Sequence, residues 1–381
     1  MAAMAEELAV GCAGIASTIG VHSAGISCGL VSLDPCILEK YIRPVAQAEK
    51  RGEPILWGGA VTEPWAGTDI WDEDFLAKGK IATFAQKVAG GYRLTGRKCF
   101  ISNGNVARYL AVTAALDPRA VRESWTAFLL DTRWPGFSVG RVEHKMGQRA
   151  SPAAELILED VFVPDECQLG LPGKAGWYVS IYLAGSRGPV GAIGVGCARR
   201  SLECLIEWAK QKKNGQGRLI DQQAIQLTIA RISSEIAAAR GLYVASCLAC
   251  DEMLYHLLNR PLPKTALALM PKKILGRKPA QKFFGSTRAK KAAAWVLGQV
   301  MTDDRLAHIS RLATAAKCIG SETGVRVSGE VARIMGVDAM DPRWPVEKAY
   351  RDAKLTMIYE GTNQANRITH FKDLARTWRR F

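Results

Sequence analysis

Apolar positions follow two periods along this chain. Between Gln223 and Tyr243, Ile225, Ile229, Ile232 and Ile236 recur at three- and four-residue steps, which places them on one face of an amphipathic helix. The stretches 175–212 and 307–335 read the same way. Near the start, residues 8–32 are rich in Gly, Ala, Ser and Ile, small enough for close packing, and predict one or two buried helices. Asp34-Pro35 opens another, with Asp34 as cap and Pro35 at the first helical position, followed by Ile37, Leu38 and Tyr41 at helical spacing. The break Arg51-Gly52-Glu53-Pro54 ends it. From Ile55 the period shortens, and β-like runs fall at 55–62, 91–102, 108–115, 125–131, 137–143 and 154–163, punctuated by Gly90-Gly91, Asn103-Gly104 and Pro135-Gly136. The order helical, β, helical predicts an α+β protein in three parts: a helical segment 1–54, a central antiparallel β domain 55–168 and a C-terminal helical region 169–381.

A chain of 381 residues buries a large core. No apolar run reads as long and uninterrupted enough to cross a bilayer, and the early acids Glu6 and Glu7, with no basic residue ahead of them, do not read as a signal peptide. The ten cysteines are scattered singly, which predicts reduced thiols of an intracellular protein, cytoplasmic or, in a eukaryote, in the mitochondrial matrix. Cys247-Leu248-Ala249-Cys250 has neither a second pair nor well-spaced histidines, so it reads as a buried helical pair and no metal site is expected. The net charge of +15 calls for an anionic partner or ligand without choosing one. It is concentrated in a stretch at about 259–306, which carries Arg260, Lys264, Lys272, Lys273, Arg277, Lys278, Lys282, Arg288, Lys290 and Lys291, with no acid until Asp303. Two readings stand for it: a solvated insertion, or a docking surface for an acidic redox partner or an anionic membrane. There is no internal repeat, and no basic-aromatic interleaving that marks nucleic-acid binding.

The candidate chemistry gathers around Tyr359-Glu360-Gly361-Thr362-Asn363-Gln364. Thr362 can cap a helix running from Asn363 toward Phe371, and Gly361 allows a tight bend ahead of it. Glu360 then stands at a helix start beside Met357, Ile358 and Tyr359, either as a solvated surface carboxylate or as a general base held against apolar neighbours. Gly25-Ile26-Ser27-Cys28-Gly29 has the letters of a Gly-x-Ser-x-Gly run but falls inside the stretch 8–32 read as helical, so it is not the strand-to-helix elbow of a serine hydrolase. Nor is there a dinucleotide fingerprint, because Gly194-Val195-Gly196 lacks both a third glycine and a preceding strand.

Several segments, in order along most of the chain, resemble the acyl-CoA dehydrogenase family of FAD flavoproteins. They are Val61-Thr62-Glu63-Pro64-Trp65-Ala66-Gly67-Thr68-Asp69, Lys98-Cys99-Phe100-Ile101-Ser102-Asn103-Gly104, Lys145-Met146-Gly147-Gln148-Arg149, Phe162-Val163-Pro164, Arg351-Asp352-Ala353-Lys354 and the run through Glu360. The resemblance implies an N-terminal helical domain, here shortened, a central β domain and a C-terminal four-helix bundle. It implies that Glu360 removes a proton alpha to an acyl-CoA thioester while the β-hydride passes to flavin N5. Val61, Thr62, Gly67, Thr68, Phe100 and Ser102 take the family's positions about the flavin ring, with Thr68 also beside the substrate. Thr362 and Gln364 match positions that bind the ADP portion of FAD.

Other family positions are altered. Where the family reaches a neighbouring subunit's FAD with an arginine and an aromatic, this chain has Lys212 and Gly215, and lysine lacks the bidentate fork. The other adenine contact reads Arg333, Gly336 and Val337. Of the family's Asp-x-x-Arg near the pantetheine, Ala184, Gly185, Ser186 and Arg187 keep only the arginine, which is either a substrate contact with Tyr359 and Gly361 or an exposed helix arginine; Ala184 and Gly185 leave room for a bulky acyl group. The resemblance further implies a homodimer or homotetramer, with an electron-transferring flavoprotein or similar acceptor as partner. The alternative within the family is a subunit of a heteromeric dehydrogenase with little activity alone.

Overall fold

The computed structural model describes residues 1–67, 70, 81–258 and 278–378. Thr68 lies outside the described residues, as do Arg260, Lys264, Lys272, Lys273 and Arg277 of the basic stretch and the side chain of Lys278.

Helix α1 (Ala2–Val31) is a single element whose helical backbone is interrupted at Cys12 (φ −158°, ψ 107°). It corrects the expectation about apolar runs: an 18-residue window in it has a mean hydropathy of 1.4, so by length and composition alone it is long and apolar enough to cross a membrane. Its alanines Ala2, Ala5, Ala9, Ala13 and Ala16 are buried in the core of the C-terminal helices. Asp34 caps α2 (Pro35–Ile37) by accepting from the Cys36 amide at 2.8 Å, a π-helical turn follows over Leu38–Ile42, and α3 (Arg43–Lys50) completes the segment.

The β unit contains β1 (Trp57–Ala60), β2 (Phe84–Val88), β3 (Gly91–Ser102), β4 (Tyr109–Ala115), the short helix α4 (Val121–Ser124), β5 (Trp125–Asp131), β6 (Phe137–Val142), β7 (Ala153–Pro164) and β8 (Gln168–Leu169). They form one sheet in the order β6-β7-β3-β2-β4-β5-β8, with β1 beside β4. Most pairings are antiparallel, but β1 runs parallel to β4 and β2 touches β4 in parallel through Phe84 and Ala115, so the sheet is mixed rather than wholly antiparallel. Strand β2 has no counterpart among the expected runs, because Gln86 and Lys87 are adjacent and exposed and break the alternation.

The helical region begins with α5 (Ala175–Gln211), followed by the two-residue ribbon β9 (Lys213–Asn214) and β10 (Gly217–Arg218) and by α6 (Gln223–Leu258). Then come α7 (Lys278–Phe284), α8 (Thr287–Val300), α9 (Asp303–Met335), α10 (Val346–Thr356) and α11 (Asn363–Thr377). On α6, Ile232 and Ile236 are buried, and Ile225 and Ile229 pack against the same core. Where α5 crosses α9 the backbones touch: a Cβ on Gly191 would meet the Ala316 carbonyl oxygen at 2.3 Å, and one on Gly320 the Gly191 oxygen at 2.4 Å. That close approach brings Arg187 and Lys317 to the same end of the crossing.

Within the basic stretch, residues 287–300 form a helix rather than a loop. Ser286 caps α8, and Leu297 packs with Ile181 and Met301. Lys290 is buried and donates to the Asp165 carbonyl at 3.4 Å. Burial pushes its pKa down to about 8 against the pull of Asp34 and Asp165. This lysine belongs to an internal joint and not to a docking face.

Candidate active site

The turn between α10 and α11 carries the candidate base. Thr362 caps α11 by accepting from the Ala365 amide at 3.3 Å, as its place in the sequence suggested. Ahead of it Glu360 has φ 53° and Gly361 φ 83°. A positive φ is costly for glutamate and persists only where surroundings over-determine it. Here three side chains from three helices grip the turn's carbonyls. Asn366 Nδ2 donates to Glu360, Gly361 and Thr362 at 3.3, 2.8 and 3.0 Å. Lys317 Nζ donates to the Gly361 carbonyl at 2.7 Å and to Asn363 Oδ1 at 2.8 Å. Arg187 Nε donates to the Glu360 carbonyl at 3.3 Å. Arg187 is therefore buried beneath the turn, not exposed on its helix, and burial lowers its pKa to about 10. Burial likewise brings Lys317 down to about 8.

The Glu360 carboxylate is half-buried, which excludes the fully solvated reading. Tyr182 donates to Oε1 at 3.2 Å and Ser186 to Oε2 at 2.9 Å. Loss of hydration raises the carboxyl pKa above its ordinary value. The Ser186 hydroxyl, the charges of Arg187 and Lys317 and the Tyr182 hydroxyl oppose that rise. The Glu360 charge in turn helps burial to raise the pKa values of Tyr182, Tyr359 and Cys28, the last to about 12.

Two motifs far apart in sequence meet beside this turn. Gln148, buried with φ 47°, donates its backbone amide to the Asp352 carboxylate, while its Nε2 donates to the Asp352 carbonyl at 2.9 Å and to the Tyr359 hydroxyl at 3.3 Å. Arg351 donates to the Met146 carbonyl at 2.9 Å, and a Cβ on Gly147 would lie 2.1 Å from the Arg351 oxygen. The β unit is thereby joined to the segment that ends in Glu360.

A second strip lies on β3 and the segment after β1. Cys99 donates its amide to the Thr62 carbonyl at 3.0 Å, and Lys98 Nζ to the Val61 carbonyl at 3.1 Å. Lys98 and Glu63 form a buried pair at 2.7 Å, and Glu63 also accepts from the amides of Ala82 and Thr83. Against β7, the step from Lys98 to Ile101 matches a shorter one from Leu156 to Ala154, which is a bulge. Within it Phe100 takes φ 56° and is 60% exposed, while Cys99 and Ile101 are buried. Ser102 ends the strand, and Asn103 anchors the next turn by donating to the carbonyls of Thr18 and Trp57. An aromatic ring forced outward by a strained backbone, with Val61, Thr62, Gly67 and Ser102 on the same stretch of the β unit, fits the face of a planar ring system such as a flavin.

Lys212, Arg333 and Gly336 sit at the far end of the helices, whereas Gln364 lies in the first turn of α11. Lys212 pairs with Asp338 at 2.7 Å, just past Gly336 (φ 60°), and Trp208 donates to the same oxygen. Arg333 and Gln364 are exposed. Ala184 is buried against Cys250 and Ile309 and so leaves no room beside the site, whereas a Cβ on Gly185 would meet nothing within 4 Å. Tyr182, Ser186, Lys317, Asn363 and Asn366 were not singled out from sequence; Tyr182 and Ser186 stand one helical turn apart within the helix expected over 175–212, but that this face meets Glu360 is visible only in the packing of α5 against the turn.

Known proteins place this architecture. Residues 58–161 match the acyl-CoA dehydrogenase middle domain, and residues 174–274 and 284–374 the acyl-CoA dehydrogenase C-terminal domain. The chain belongs to the acyl-CoA dehydrogenase family, a class of FAD-dependent oxidoreductases. It is 31% identical over 327 residues to the short-chain specific acyl-CoA dehydrogenase of Megasphaera elsdenii, covering 86% of this chain and 68% of that one. It is 27% identical to the cyclohex-1-ene-1-carbonyl-CoA dehydrogenase of Syntrophus aciditrophicus, covering 97% and 74%. The structure of butyryl-CoA dehydrogenase from Megasphaera elsdenii superposes with a TM-score of 0.75 at 28% identity, covering 98% of this chain and 80% of that one.

Proposed function

We propose that this chain dehydrogenates an acyl-CoA thioester between its α and β carbons, with Glu360 as the base. The observation that carries this reading is the Glu360 turn: an over-determined positive φ presents a half-buried carboxylate whose pKa is raised by lost hydration. A carboxylate held this way is more basic than a solvated one. Glu360 takes the α-proton, and the electron pair of that C–H bond becomes the new C=C bond as the β-hydrogen leaves with its own pair. When bound, FAD supplies the two-electron acceptor for that hydride.

The exposed ring of Phe100, the hydroxyls of Thr62 and Ser102, and Val61 and Gly67 would hold the flavin ring. Thr362 and Gln364 would hold its ADP half, and Lys212, with Arg333 and Gly336 at the other adenine contact, would reach the FAD of a neighbouring subunit. The Glu360 backbone amide is the chain's own donor for the charge that grows on the thioester oxygen. A chain in the structure of the electron transferring flavoprotein of Acidaminococcus fermentans resembles this one at 27% identity and a TM-score of 0.73. That likeness supports an electron-transferring flavoprotein as acceptor, and a homodimer or homotetramer is the assembly we assign.

The test is Glu360→Gln, which keeps shape and removes the base. Flavin and acyl-CoA stay bound, and anaerobic flavin bleaching slows by about a thousandfold or more. Near-normal bleaching by this variant means that another group takes the proton.

A further inference from the structure

We propose that Tyr182 and Ser186 clamp the Glu360 carboxylate, fixing its orientation and setting the pH at which it begins to act as a base; this rests on Glu360 being the base. The two residues are four apart on α5, so they project from one face as neighbours. Each takes a different carboxylate oxygen, at 3.2 and 2.9 Å. One hydroxyl on each oxygen leaves a second lone pair on each free for a substrate proton. Two donors on two oxygens also stop the carboxylate from rotating about its last bond.

The surrounding charges are arranged differently. Among the described residues, the titratable and polar groups that act on Glu360 are Tyr182, Ser186 and Arg187 from α5, Lys317 from α9, Cys28 from α1, Asn366 from α11, and Tyr359 in the turn itself. Arg187 bonds the backbone carbonyl of Glu360, and Lys317 the carbonyl of Gly361 and Asn363 Oδ1, so neither bonds the Glu360 carboxylate. Asn366 likewise bonds the backbone carbonyls of Glu360 and Gly361. A direct guanidinium–carboxylate pair would pull the base toward the acidity of a surface salt bridge and weaken it. Neutral hydroxyls hold the ionised form in place with a smaller loss of basicity. Tyr182 stays a donor throughout, since burial and the Glu360 charge push its own ionisation well above the ordinary range. The burial-raised thiol of Cys28 is neutral at the same pH.

Both hydroxyls favour the carboxylate over the carboxylic acid, so removing either raises the Glu360 pKa. The experiment compares wild type, Tyr182→Phe, Ser186→Ala, the double variant and Ser186→Thr. Two readouts are taken across pH. One is anaerobic flavin bleaching, using whichever of butyryl-CoA, octanoyl-CoA or cyclohexanecarbonyl-CoA bleaches wild type fastest. The other is the infrared carboxyl stretch of Glu360 in flavin-free protein, assigned by difference from Glu360→Gln. The expected result is an acid limb and an infrared titration both displaced upward by about one pH unit in each single variant, further in the double, and restored by Ser186→Thr. A merely structural role would lower flavin content or thermal stability without moving either titration. If the infrared titration of Glu360 is the same in all five proteins, the clamp is wrong even when Glu360→Gln abolishes bleaching. If Glu360→Gln bleaches normally, or no acyl-CoA bleaches wild type, the base assignment fails and the clamp's catalytic role fails with it.

Discussion

Glu360 and Phe100 share an unusual backbone conformation, φ 53° and 56°, and the molecule holds them there by opposite means. Around Glu360 the polar side chains of Arg187, Lys317 and Asn366 reach in from α5, α9 and α11 and bond the turn's own carbonyls. Around Phe100 the constraint is the strand itself: an extra residue in β3, with Cys99 and Ile101 buried on either side, leaves the ring pointing outward. The first region is fixed by side chains acting on backbone, the second by backbone register acting on a side chain. The difference suits the tasks we propose for them. A base needs its carboxylate placed within a fraction of an ångström of a reacting C–H bond, whereas a ring that lies against another ring tolerates sliding.

The comparison breaks most visibly at the buried lysines, one beneath each region. Lys98 is paired with Glu63, and both are buried, so Lys98→Met strands a carboxylate in the interior. The loss expected in urea unfolding of the flavin-free protein is about 3 kcal/mol or more. The amides of Ala82 and Thr83 keep Glu63 partly satisfied and hold the cost near that end of the range. A change below about 0.5 kcal/mol, within the scatter of ordinary surface substitutions, would show that the strip does not depend on the pair.

Among the described residues Lys317 bonds no carboxylate, only the Gly361 carbonyl and Asn363 Oδ1. Lys317→Met removes those bonds and the burial cost of the ammonium together, so about 1 kcal/mol is lost at neutral pH, less than for Lys98→Met. Bleaching slows by about ten- to a hundredfold as the turn loosens. The pH dependence has a defined sign. The folded pKa, about 8, lies below the ordinary 10.5. Between those values the unfolded chain binds more protons than the native one, so this group makes wild type more stable as pH rises from about 8, while below 8 the burial cost is present in full. The stability difference between wild type and Lys317→Met therefore widens from pH 8 to 10, as measured by urea midpoints. A difference independent of pH would place the ammonium in water.

Much of this was legible in sequence, and the parts that were not have a common cause. The Thr362 cap and the Asp34-Pro35 start were readable because capping is a local contest for backbone donors. The long helices and the main strands were readable because burial on one face imposes a period. The linkage of Gln148 to Asp352 and Tyr359 spans some two hundred residues, and only the resemblance hinted that those two segments matter together. The hydroxyls on Glu360 and the outward turn of Phe100 depend on which helix faces the turn and on one extra residue in a ladder. Lys290, alone among the lysines and arginines of the basic stretch whose side chains are described, misled for a related reason. Composition placed Lys290 in a solvated run, whereas the packing of α8 buries it.

The smallest effect is the sharpest probe of the bulge. Phe100 is 60% exposed, so truncating it removes little buried surface. Alanine at that position keeps the positive φ and its cost, whereas glycine adopts it freely. Phe100→Gly should therefore be more stable than Phe100→Ala by about 1 kcal/mol, the reverse of the usual order within a strand. The measurement is thermal or urea unfolding of the flavin-free proteins, where loss of ring contacts with the cofactor plays no part. Flavin retention, followed by fluorescence on dilution, should weaken in both variants to the same extent, because both lose the ring. Equal stabilities for the two would mean that β3 relaxes out of its bulge once the ring is gone. In that case the ring shapes the bulge, and the claim that backbone register alone aims it at the flavin is wrong.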